Sequence, residues 1–149
     1  MTHPHKNRRI VIAVTAALLA GAVGAQASGV ALQPLSAEDV DTAKLSGELA
    51  CGFGVDAQQT IMLAHGDVAS EDAAQGIVKV NGAVKTVSAP GGFDAMIEGA
   101  RFKGNGVSIV IKVTGEATGD GESPPRPATL TFAGMEGATN IEGQWTCGP

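Results

Sequence analysis

The sequence predicts an all-β fold: a small antiparallel barrel or sandwich of seven to eight strands, with a short N-terminal helix and one disulfide. Three observations lead there. From Gly47 onward apolar and polar residues alternate with period two, and turn signals rich in Gly, Asn and Pro recur at short intervals. The two cysteines stand in the first and last alternating runs.

The elements follow in chain order. Residues 28–34 have no periodicity and read as a flexible leader. Ser36 then begins a helix, because its hydroxyl is placed to accept from the Asp39 amide, Glu38 and Asp39 suit the positive helix end, and Leu35 and Val40 occupy staple positions. The helix is expected over 37–45, with Gly47 ending it. Strands are expected at 47–55, 60–65, 76–80, 83–88, 95–103, 107–114, 128–133 and 140–147.

Asn81-Gly82 is the sharpest hairpin signal, since both residues tolerate positive φ. A two-residue loop would pair Val80 with Ala83 and send Lys79 and Lys85 to opposite faces. A three-residue loop with Gly82 as the bulge pairs Lys79 with Ala83 and leaves both lysines on the wet face; it is the expected form. Gly104-Asn105-Gly106 is a second hairpin turn, and Val110 on the outer side of the following strand implies partial cover on both faces. Phe93, Ile97 and Arg101 have helical spacing, but Gly91, Gly92 and Gly99 oppose a helix, so this stretch is assigned to a strand. Residues 116–127 hold three prolines and two glycines among acids and read as an exposed acidic loop.

The N-terminal segment is organised differently. Lys6, Arg8 and Arg9 precede an uncharged apolar run over 10–25, and Ala25-Gln26-Ala27 offers small side chains where signal peptidase reads them. The expected organisation is a signal peptide at 1–27, a leader and short helix at 28–46 and a β domain at 47–149, placing the protein in the periplasm or outside the cell. Leu19-Ala20-Gly21 is followed by Ala22 rather than Cys, so no lipid anchor is expected. Cleavage removes three basic residues and no acid, taking the formal charge from −5 to −8 and leaving His65 as the only imidazole.

An oxidising compartment makes Cys51 and Cys147 a disulfide, and with two cysteines only one pairing exists. Each sits at an inward position of its run, so the bridge ties the first strand to the last. Trp145, on the same side as Cys147, is expected to pack on that bridge.

Few residues carry chemistry. His65-Gly66-Asp67 offers an imidazole and a carboxylate at the spacing of the base half of a hydrolase, with Ser70 or Ser108 as nucleophile, but no Gly-x-Ser-x-Gly elbow occurs and a polar strand terminus explains the pair as well. The acids at 38–41, 67–72 and 120–122 match no calcium-loop pattern, and neither metal nor cofactor is expected. Ser123-Pro124-Pro125-Arg126-Pro127 is read as a stiff turn rather than a polyproline ligand. A pI near 5.0 and three per cent aromatics argue against nucleic acid.

The signal-like N-terminus, the Gly-rich β pattern, Cys51 and the terminal Gly143-Gln144-Trp145-Thr146-Cys147 are similar to small uncharacterised periplasmic proteins of proteobacteria. In layout the chain also resembles the periplasmic C-type lysozyme inhibitors, a resemblance that implies a small antiparallel barrel with early and late strands bridged. Those inhibitors use a Ser-Gly-x-x-Tyr loop; this chain has no Tyr, so no inhibitory residue carries over.

The functional expectation is a monomeric, non-catalytic binding or envelope-associated module whose acidity suits a basic periplasmic protein or peptide. Two alternatives stand beside it. One is a carrier enclosing a small apolar ligand among Phe53, Ile109, Phe132 and Trp145. The other is a periplasmic hydrolase using His65.

Overall fold

A computed structural model describes residues 29–149; the expected signal peptide and its cleavage site lie outside the described residues. Eight strands close an antiparallel barrel, all joined to their chain neighbours: β2 (Leu49–Gly54), β3 (Thr60–Gly66), β4 (Ala74–Val80), β5 (Ala83–Ala89), β6 (Arg101–Gly104), β7 (Val107–Val113), β8 (Arg126–Gly134) and β9 (Gly137–Gly148). Closure comes from β2 pairing with β9. Preceding them are β1 (Leu32–Gln33), which adds to β4, and the helix α1 (Ala37–Ala43).

The period-two pattern sorts the faces. Phe53, Met62, Val78, Phe102, Ile109, Leu130, Phe132 and Trp145 all point inward and are fully or almost fully buried in one core. Among the described residues no polar or charged side chain is buried. Outward positions carry Gln75, Lys103, Lys112, Thr129, Asn140 and Glu142, the reverse of the apolar band of a membrane barrel. Val110 is half-buried, so that strand's outer face is partly covered.

Cys51 and Cys147 are direct partners across the β2–β9 seam, their Cα atoms 4.0 Å apart and bridged by a disulfide. The bridge therefore lies where the first and last barrel strands meet.

The two barrel ends are closed differently. At one end, Phe93 and Met96, from the connection between β5 and β6, fold over the core, and the Trp145 indole donates to the Met96 carbonyl at 2.8 Å. That connection contains a single 3-10 turn, Asp94–Met96, so strand structure begins at Arg101 rather than at 95. The glycines are the reason. Gly92 and Gly99 both have positive φ, and a Cβ at Gly92 would stand 2.6 Å from the Asp67 carbonyl oxygen. The loop is pressed too tightly on its neighbours to extend. Trp145 thus holds this loop, a role that the expected packing on the disulfide did not anticipate.

The opposite end is covered by the N-terminal segment. Val30 and Leu32 lie against the core, and the described part of the expected free leader, residues 29–34, is ordered on the barrel: Leu32 pairs with Val80 and Gln33 with Lys79. The Ala31 amide donates to the Asn81 side chain at 3.0 Å and the Asn81 amide donates to the Ala31 carbonyl at 2.9 Å. No periodicity marks so short a strand, because its order comes from the hairpin that receives it.

That hairpin also differs from expectation. Val80 pairs with Ala83 and Lys79 with Val84, a two-residue loop with Asn81 and Gly82 both at positive φ, as a type I′ turn requires. Lys79 faces outward to Asp39 of α1 at 2.9 Å, while Lys85 takes an inward position at the rim and meets Glu136 at 3.4 Å. An inward position at a barrel rim is wet, so a lysine there is no fault of register.

Helix α1 begins as predicted, with Ser36 and Asp39 forming a reciprocal capping box. It ends earlier, at Ala43, because Lys44 adopts the left-handed conformation that stops the helix. The Lys79 ion pair fixes α1 beside the outer face of β4, where Ile77 points away from the core yet is fully buried. At the far side of the barrel β8 starts at Arg126, so Arg126 and Pro127 belong to the strand and the acidic loop is shorter than expected. Proline is tolerated there because it stands second in the strand, with its carbonyl accepting from Thr114.

Candidate functional site

The strand directions collect four connections at the end closed by Met96: residues 44–48, 67–73, 90–100 and 114–125. Those connections carry most of the acids. Asp67, Glu71 and Asp72 lie on the second, Asp94 and Glu98 on the third, Glu116, Asp120 and Glu122 on the fourth, with Glu48 before β2. Against these nine carboxylates stand Lys44, Arg101, Lys112 and Arg126. The acidity read from composition is therefore polarised along the barrel axis.

The carboxylates divide into two groups. Some organise backbone: Asp67 accepts from the Glu48 amide at 3.1 Å, Glu48 from the Val68 amide at 3.1 Å, and Asp94 from the Ala69 amide at 2.7 Å. Ala69 has a positive φ of 50°, which these bonds hold in place. Others are free to act outward. Glu71, Asp72, Glu116, Asp120 and Glu122 make no side-chain hydrogen bond among the described residues.

A depression of about 200 Å³ opens at this end, lined by Ile97, Glu122, Pro124, Arg126, Trp145 and Cys147. Arg126 occupies an inward register position opposite Trp145 and pairs with Glu98. The Arg126 guanidinium beside Glu98 holds that carboxyl below its usual range, and Glu98 in turn raises Arg126. Asp39, on the barrel flank, is lowered to about 2 by the Ser36 backbone amide first and by Lys79 and the Ser36 hydroxyl after it.

Phe53, Ile109, Phe132 and Trp145 are brought together as proposed, but as parts of the packed core, each at most 1% exposed. Trp145 also floors the mouth depression; the other three do not line it. His65 sits on the outward face of β3 beside Ala50 and Gln75. Its side chain makes no hydrogen bond among the described residues, and the Asp67 carboxylate is engaged by Glu48. Ser70 accepts from the Asp72 amide at 3.0 Å, and Ser108 lies on β7 across from Ala133. Histidine, carboxylate and serine are therefore not assembled into a relay. No group of three His, Cys, Asp or Glu side chains is placed to hold a metal among the described residues.

Arg126 and Glu98 escaped notice in the sequence, where the first lay in a proline run and the second in a stretch of ambiguous period. Only the pairing of Arg126 with Trp145 would have marked it as a rim residue. By fold and site the molecule belongs to the class of small disulfide-closed antiparallel barrels with an acidic loop end. No family model, curated protein or solved structure matches the chain.

Proposed function

We propose that the chain is a non-catalytic binding module of an oxidising, extracytoplasmic compartment, docking basic proteins or peptides on the acid-rich end of its barrel. The observation that carries this reading is the concentration of nine of the fifteen acidic residues on the connections of one end. A cluster of that sign on a rigid scaffold raises the local concentration and association rate of cationic partners. The interior supports surface binding over carriage, because large side chains occupy the space an apolar ligand would need. The disulfide and the signal-like N-terminus support the compartment.

A fluorescent oligolysine peptide tests the proposal by titration at low and at physiological salt. Glu71→Lys with Asp72→Lys should weaken binding about tenfold at low salt, while Glu38→Lys with Asp41→Lys on the helix should change it little. Equal effects of the two pairs, or affinity that ignores salt, would refute docking at the loop end.

A further inference from the structure

We infer that the Cys51–Cys147 bridge is a directional thiol-exchange site, in which an external thiol attacks Cys147 through the mouth depression and Cys51 is the leaving group. The two cysteines are unequally exposed. Cys51 is 0% exposed, inside the barrel beside Ala64, whereas Cys147 is partly exposed and forms part of the depression wall. Attack on a disulfide needs an approach to one particular sulfur, so access selects which one reacts.

The walls of the depression favour certain thiols. Ile97 and Pro124 are apolar and accept the carbon portion of the incoming molecule. Arg126 is neutralised by Glu98, so Glu122 leaves the opening net negative, among the other carboxylates of this end. Small cationic or neutral thiols therefore enter more readily than anionic ones.

The chemistry balances with one class of co-reactant. A thiolate forms a sulfur–sulfur bond to Cys147 as the Cys51–Cys147 bond breaks, and Cys51 takes up the proton that the attacking thiol released. A second thiol then attacks the mixed disulfide and releases Cys147. Overall, two thiols are oxidised to one disulfide and the protein bridge is reduced to two thiols.

The test uses the folded, oxidised protein in native buffer with cysteamine, quenched by alkylation and mapped by mass spectrometry. The expected product carries cysteamine on Cys147 and alkyl on Cys51, forming at a rate proportional to thiol concentration. Ile97→Trp, which narrows the opening from an exposed position, should slow the reaction about tenfold with unchanged circular dichroism. Cysteamine should outpace 3-mercaptopropionate at low salt when each is normalised to its rate on a small disulfide. Adducts on Cys51, a rate independent of thiol concentration, an unslowed Ile97→Trp variant that keeps its fold, or a normalised mercaptopropionate rate matching cysteamine's would overturn the inference.

Discussion

Removing the bridge by the double substitution Cys51→Ala, Cys147→Ala isolates what the covalent seam contributes. The cysteines are 96 positions apart, and opening a loop of that size returns about 4 to 5 kcal/mol of chain entropy to the unfolded state. The native seam survives the change, because Ala50 still pairs with Gly148 and Gly52 with Thr146 on either side of the missing bridge. Loss of the buried Cys51 side chain and the partly exposed Cys147 side chain adds a small packing cost, while measured values often fall below the entropy figure, so the expected net loss is about 3 to 5 kcal/mol. Urea denaturation followed by the single tryptophan, Trp145, measures it directly, since that indole is buried in the folded state. Folding kinetics then locate seam closure: the loss falls on refolding where β2 and β9 already meet in the transition state, and on unfolding where they meet after it. A loss under about 1 kcal/mol would refute a constraint on the open chain.

Two further outcomes are expected. Trp145→Phe removes the indole donor from the Met96 carbonyl, which keeps its bond from the Gly99 amide, and leaves space beside the loop, so stability should fall by about 1 to 3 kcal/mol in chemical denaturation, with the 90–100 amides losing hydrogen-exchange protection first. Asp39 titrates near 2 when folded and near 4 when unfolded, so its stabilising contribution is complete above about pH 4 and disappears as the pH falls towards 2. Lys79→Met removes one of its partners and should flatten that acid limb in melts recorded across this range, leaving the capping-box part in place.

The alternation of apolar and polar residues was sufficient to read the barrel wall, because each face answers to one solvent and Cys51 and Cys147 fall on the inner one. The sequence also carried the capping box, since its two residues are local partners. What escaped was set by distant backbone. The stretch after Pro90 reads as a strand because Gly91, Gly92 and Gly99 oppose the helix that Phe93, Ile97 and Arg101 suggest; the Gly92 amide instead donates to the Asp72 carbonyl and the Phe93 amide to the Asp67 carbonyl. The hairpin loop was misjudged because Lys85 was assumed to need an outer position, and the rim supplied water and Glu136 instead. The acidic end was present in the composition but not in its distribution, which depends on strand direction.

The N-terminal segment meets the barrel at the pole opposite the acid-rich connections, whereas β9 finishes beside them. Immobilising the protein through its N-terminal side therefore turns the carboxylates towards the medium, and immobilising it through the C-terminal residue presses them against the support. A sensor surface built in the first orientation keeps the face free; the second masks it sterically, without any residue having been altered.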